Sequence, residues 1–236
     1  MFKNFFPNQI LLLKNKTINN LIFFLIQIFI IGIIYSIFLS PPDYIQGDSV
    51  RIMYVHVPSS FIALICFGSI GIMSIINFIF KIKFLPLIAK SLAPAGFVFT
   101  LISIVTGSLW GKPTWGVWWV WDARLTSMFI LLIFYLAYIL SWIFIKDFSK
   151  ANKISSIIAI IGLFNLPIIK FSVNWWNTLH QPSSITLTSS PTIHYSMMIP
   201  LLLMFCAMTI YLLIIFLMKY KTEVMKIKIN KKNNYK

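Results

Sequence analysis

The chain has 236 residues, 59% of them hydrophobic and 11% charged, with a mean hydropathy of +0.87. At roughly 20 apolar residues per membrane span, this composition describes a polytopic membrane protein and leaves no room for a separate soluble domain. The formal net charge of +15 does not mark a nucleic-acid binder, because the cations are concentrated in alternate connecting segments.

Six spans are predicted, at Asn20–Leu39, Pro58–Phe80, Leu87–Leu109, Thr126–Ile145, Ile154–Phe171 and Ile193–Met218. The expected fold is all-α, one integral membrane domain over residues 1–236. The first apolar stretch is too long for a signal-peptide core and has no small-residue cleavage site before Pro41-Pro42, so it is expected to be retained. His56 stands two residues before Pro58, which favours the first turn of a helix; it should lie at the mouth of the second span. Between the third and fourth spans runs W-G-K-P-T-W-G-V-W-W-V-W-D, Trp110 to Asp122. After the fifth span comes N-W-W-N-T-L-H-Q; as a short interfacial helix it would put Trp176 and His180 on one face, and Trp175 and Leu179 on the next. His194 opens the sixth span and is read as structural. The cysteines Cys66 and Cys206 fall inside spans without a C-x-x-C motif, which argues against thiol–disulfide chemistry. No glycine-rich phosphate loop is present, so the chain is not expected to hydrolyse ATP itself.

Positive charge orients the spans. With the N-terminus inside, the inner segments hold Lys3, Lys14 and Lys16, then Lys81, Lys83 and Lys90, then Lys146, Lys150 and Lys153, and finally the lysines from Lys219 to Lys236. The outer segments hold Arg51, Lys112, Arg124 and Lys170. Both termini are therefore expected on the cytoplasmic or matrix side, with the basic tail as an orientation signal having some affinity for anionic lipid. The same arrangement sends His56, His180 and His194 to the outer side.

Five of the eight tryptophans lie within the thirteen residues from Trp110 to Asp122: Trp110, Trp115, Trp118, Trp119 and Trp121. An aromatic belt scatters single residues over both interfaces, whereas dense indole with few charges suits a flat, apolar ligand such as a porphyrin. Taken singly, each histidine is adequately explained as an interfacial polar group. Two of them beside tryptophan-rich segments on one side suggest haem, whose iron takes axial imidazoles. Zinc wants about four ligands, and the outer segments offer only Asp43, Asp48 and Asp122 and no cysteine. Arg51 and Arg124, the only arginines in the chain, could grip propionates through their planar forks. The competing pairings, Arg51 with Asp48 and Arg124 with Asp122, are not expected to share a helical face. Asp122 is expected to cap the fourth span.

The segment W-G-K-P-T-W-G-V-W-W-V-W-D-A-R-L-T-S resembles the "WWD" signature of haem-handling proteins of cytochrome c maturation, shared by the CcmC, CcmF and CcsA groups. Y-V-H-V-P, N-W-W-N-T-L-H-Q and N-L-P-I-I, with six spans and one histidine on either side of the signature, resemble CcmC over about residues 40–180. The resemblance implies haem b presented at the outer face, with His56 and His180 as axial ligands. It implies a WWD loop at about 110–124 that cradles the porphyrin, with Asp122 in the signature, and arginines matching Arg51 and Arg124. Implied partners are the haem chaperone CcmE, whose own histidine attacks a vinyl group, the ABC-type subunits CcmA and CcmB, and in bacteria the small subunit CcmD. ATP use by CcmA would then release the loaded chaperone. The implied location is the bacterial or mitochondrial inner membrane, and the implied role is delivery rather than enzymatic catalysis.

Two other classes compete. A membrane b-type cytochrome would need histidines at mid-span, and no span contains one. A haem-exporting permease subunit of an ABC-type transporter would use polar residues within spans, and these are sparse: Gln27, Asn77 and Asn165 with scattered Ser and Thr.

Overall fold

The computed structural model describes residues 15–181 and 193–233. Lys3, Lys14, the end of the basic tail and the 182–192 segment lie outside them. Six helical segments are long and apolar enough to cross a membrane, one for each predicted span.

Helix α1 (Asn15–Ile34) runs into a π turn (Tyr35–Leu39) and stops at Ser40, ahead of Pro41-Pro42, which cannot supply the next backbone donors. A tight loop follows, in which Asp43 Oδ1 accepts the backbone N–H groups of Ile45 and Gln46 at 2.9 and 2.8 Å. A 3-10 turn (Asp48–Ile52) leads into α2 (Met53–Phe80). The helix thus begins before Pro58 and takes His56 into its first turns; the proline sits inside it rather than opening it. Helix α3 (Leu85–Trp115) carries Pro86 in its first turn and continues past the predicted end at Leu109. It ends at Gly116, whose φ of +78° closes the helix in the left-handed region that glycine enters without a Cβ clash. The non-helical part of the WWD segment is therefore only Gly116–Asp122; Trp110 and Trp115 are helical, and Arg124 lies in the first turn of α4 (Ala123–Phe144).

The fifth span is two helices, α5 (Phe148–Leu163) and α6 (Asn165–Trp175). Pro167 explains the break: it has no N–H for the Leu163 carbonyl, and its ring crowds that carbonyl. The freed region is tied elsewhere, with Asn165 Nδ2 donating to the Ser127 carbonyl at 2.7 Å, which draws α6 onto α4. Helix α7 (Tyr195–Asn233) is 39 residues long. At about 1.5 Å per residue it extends well beyond a bilayer, so the last span passes Met218 and continues through the basic segment.

Helix α2 is central, packed along α3, α5 and α7, while α1 leans chiefly on α7 and exposes Phe23, Phe24, Ile26 and Ile30, the pattern of a lipid-facing helix. The core is built from Tyr54, Phe67, Ile70, Leu131, Tyr135 and Met204. Tyr135 reaches the Ala63 carbonyl, donating its hydroxyl at 2.7 Å, because Gly96 leaves its path open; any Cβ there would strike the ring. The start of α2, the end of α3, the start of α4 and the end of α6 meet at one end of the bundle. The first and last helical turns of the described chain lie at the other.

Candidate functional site

The two histidines singled out from the sequence converge. His56 and His180, 124 positions apart along the chain, have ring centroids 6.5 Å apart with planes at 36°. Trp110 meets His56 edge-on at 5.7 Å, and Trp115 meets His180 at 6.1 Å. Four rings therefore form one group, contributed by α2, the last turns of α3 and the segment after α6. All four side chains are half-buried.

Hydrogen bonding determines which nitrogen each imidazole presents. Thr106 donates its hydroxyl to the Ile102 carbonyl at 2.6 Å, so its oxygen can only accept from His56 Nδ1, 3.1 Å away. His180 Nδ1 lies 2.9 Å from the Gln181 carbonyl, an acceptor with no proton to give. Both rings thus carry their proton on Nδ1 and keep the Nε2 lone pair free, the tautomer that metal-ligating histidines adopt when a second partner holds the other nitrogen. Burial, and after it the nearby Arg124 guanidinium, pushes the His180 imidazole down to about 4, so that ring is neutral throughout the physiological range. Gly107 packs directly on His56: a Cβ there would lie 3.0 Å from Cε1.

Haem fits this donor set in kind: two imidazoles with ring centroids 6.5 Å apart, each with Nε2 unprotonated, are donors of the sort that haem iron takes. Among the described residues no three His, Cys, Asp or Glu side chains cluster as a metal site.

The remaining predicted residues divide. Arg124 is close enough to both imidazoles to act on them electrostatically, and among the described residues it forms no ion pair. Arg51 faces elsewhere. It pairs with Asp48 at 3.2 Å, donates to the Ser40 carbonyl at 3.4 Å, and lines a cavity of about 280 Å³ between α1, α2 and α7. The expectation that Arg51 and Asp48 would not share a face fails, since they stand three apart in a 3-10 turn, where i and i+3 eclipse. Asp122 does cap α4, accepting the Leu125 N–H at 2.7 Å.

The tryptophans divide as well. Trp118 and Trp121 are 54% and 76% exposed. Trp119 packs edge-on against Trp121 and Phe129, its indole N–H buried without a partner among the described residues. The loop holding them folds back on α3: Ser108 donates to the Trp118 carbonyl at 2.7 Å, and Lys112 Nζ donates to the Gly116 carbonyl at 3.0 Å. The short helix expected to unite Trp176 and His180 does not form. Trp176 is extended at φ −135°, ψ 155°, and the chain stays irregular through Gln181. His194 stands at the start of α7, its Nδ1 2.8 Å from the Ser196 hydroxyl.

Three residues that sequence reasoning passed over complete the site: Thr106 behind His56, Thr178 before His180, and Gln46, whose Oε1 accepts the Trp110 indole N–H at 2.8 Å. Thr106 could have been found by its place one helical turn before Trp110. Gln46 left no signal.

The fold and site together define a polytopic membrane protein that holds a fixed imidazole pair between tryptophans at one end of its helix bundle. The CcmC family pattern, described as "Heme exporter protein C", matches residues 2–235. The chain is 40% identical over 193 residues to Heme exporter protein C of Bradyrhizobium diazoefficiens, covering 82% of this chain and 73% of the relative. It is 42% identical over 197 residues to the Haemophilus influenzae protein of the same name, covering 83% and 80%. A ccmC-like mitochondrial protein of cytochrome c biosynthesis from Marchantia polymorpha is 47% identical over 176 residues, covering 75% and 74%. The chain belongs to the CcmC family.

Proposed function

We propose that this protein handles haem for cytochrome c maturation, holding it at the outer face of a bacterial or mitochondrial inner membrane for delivery to a partner. Haem is its cargo, and haem b is the form that the family resemblance implies. The observation that carries this reading is the imidazole pair, 6.5 Å apart, with both Nδ1 atoms engaged and both Nε2 lone pairs free. His56 and His180 would hold the iron. Trp110 and Trp115 flank the imidazoles with apolar surface, and Arg124 supplies the positive charge for a propionate. Bound haem would supply the vinyl group on which covalent capture by the partner takes place. With His56 and His180 as its ligands, the side chains of this protein would orient the macrocycle and limit reaction of the iron with oxygen. The exposed Trp118 and Trp121 would be available to an arriving chaperone.

The family resemblance supplies the partners of this proposal: CcmE as the chaperone that receives haem, CcmA and CcmB as ABC-type subunits, and CcmD in bacteria. The positive-inside distribution supports placing both termini on the cytoplasmic or matrix side.

The deciding experiment is an absorption spectrum of the purified protein beside His56→Ala, His180→Ala and His194→Ala. Six-coordinate low-spin haem in the parent, lost or weakened in the first two variants and partly restored by added imidazole, is expected. A larger effect from His194→Ala would overturn the choice of ligands.

A further inference from the structure

The segment that carries His180 has little backbone support. Between Asn177 and Gln181 no backbone–backbone hydrogen bond is formed among the described residues, and the helix before it ends at Trp175. Among the described residues, a chain of side-chain contacts holds it, running to the WWD aspartate. Asp122 Oδ1 accepts the Leu125 N–H and caps α4. Its other oxygen, Oδ2, accepts the hydroxyl proton of Thr178. The same Thr178 oxygen accepts the His180 backbone N–H at 3.1 Å. One carboxylate therefore fastens the start of α4 and the His180 segment together, using an oxygen for each.

We propose that Asp122 and Thr178 are positioning residues for His180: the aspartate of the WWD signature acts on the site by tethering the His180 segment through Thr178, not by touching the ligand. This rests on the reading of His180 as an iron ligand. The two anchors of the pair are built differently. His56 is set into α2, and its ring is held by Thr106 and Gly107 of α3. His180 lies on irregular chain; besides its ring contacts with His56 and Trp115, the hydrogen bond that its backbone makes among the described residues is the one to the Thr178 hydroxyl. In this chain the carboxylate of Asp122 offers a separate oxygen to each segment, Oδ1 to α4 and Oδ2 to Thr178.

Thr178→Val tests the proposal, because valine keeps the shape and leaves Asp122 free to cap α4. In the haem-loaded, purified protein, Thr178→Val should shift a large part of the low-spin six-coordinate spectrum to high-spin five-coordinate and weaken haem retention by about 10–100-fold, the usual effect of losing a partner that orients a ligand. Thr178→Ser should restore the parent spectrum, and added imidazole should restore the low-spin form of Thr178→Val. A readout without haem accompanies it: a spin label at Leu179→Cys, in a Cys66→Ala/Cys206→Ala background, should become more mobile with Thr178→Val and not with Thr178→Ser. An unchanged spectrum and an unchanged label in Thr178→Val would overturn the tether, provided that His180→Ala still removes the low-spin signature. If His180→Ala leaves the spectrum intact, the ligand assignment fails instead, and the label alone decides whether the tether holds the segment.

Discussion

His56 and His180 sit in different mechanical settings, and substitutions around them should separate the two. Gly107 is the tightest neighbour of the His56 ring. A methyl group there must push the imidazole away from Thr106, since its Cβ would stand 3.0 Å from Cε1 and 3.5 Å from Nδ1. Gly107→Ala is expected to weaken haem binding by about tenfold or more while the helices remain inserted, as read by Soret titration of the purified protein. Gly68→Ala is the comparison, because its Cβ would meet only Leu166 Cδ1 at 3.5 Å, an ordinary contact. Equal haem binding in the two variants would remove Gly107 from the site. Arg124 and Arg51 make a second contrast at this scale. Arg124→Gln should reduce haem retention more than Arg51→Gln, because Arg124 and not Arg51 acts electrostatically on both imidazoles. Arg51→Gln should instead loosen the Asp48 turn and the loop before it.

At the scale of elements, the WWD segment is two structures rather than one loop. The last turns of α3 deliver Trp110 and Trp115 to the histidines, while Gly116–Asp122 carries Trp118, Trp119 and Trp121 over the surface. Each ring contact contributes about 0.5–1.5 kcal/mol beyond area burial, so single changes should be mild and paired ones cumulative. Replacing Trp110 and Trp115 together by alanine is expected to lower haem per inserted protein more than replacing Trp118 and Trp119 together. Phenylalanine should rescue Trp115 better than Trp110, because Trp110 also gives its N–H to Gln46 and phenylalanine has none to give. Haem content that is normal in both double variants, with poorer insertion, would identify the indoles as interfacial anchors. The Pro167 break belongs to this scale too. It turns α6 onto α4 and so aims the chain at the place where His180 meets His56.

At the scale of the whole molecule, the two ends of the bundle are chemically distinct. One end holds aromatic rings and imidazoles. The other holds the chain's single glutamate, Glu223, buried at 4% exposure and paired with Lys90 at 2.5 Å. Lys226 and Lys219 approach the same carboxylate at 3.3 and 3.8 Å, and Lys90 Nζ lies 5.0 Å over the Trp142 ring. This cluster docks the long α7 extension against the start of α3, with Leu87, Tyr220 and Val224 packed beside it. Glu223→Gln should cost about 1–3 kcal/mol, since it leaves partly buried lysine charge without its partner, and should open the extension to protease without altering the haem spectrum. Sidedness is checked in sealed vesicles of known orientation. Trp121→Cys should react with an impermeant thiol reagent from the outer side, and Lys150→Cys only after permeabilisation. The reverse labelling would invert the topology and move the site to the wrong compartment for the proposed delivery.

By itself the sequence determined the number of spans, the all-α class and the segments whose histidines and tryptophans meet at the candidate site. These are properties of contiguous residues: a run of about 20 apolar side chains must span, and five indoles in thirteen residues stand out in any reading. It also placed Asp122 at a helix start, because capping is a local interaction. The structure alone decided which side chains meet. That Trp115 faces His180 while Trp121 faces outward depends on where α3 ends, and that end is set by Gly116 and the folded-back loop rather than by hydropathy. That the charge of Arg124 and not of Arg51 reaches the imidazoles depends on the packing of α2, α4 and α6. Thr106, Thr178 and Gln46 act through hydrogen bonds that reach 50, 56 and 64 positions along the chain. Contacts of that kind leave no period or motif in a single sequence, because they exist only once the helices have brought distant segments together.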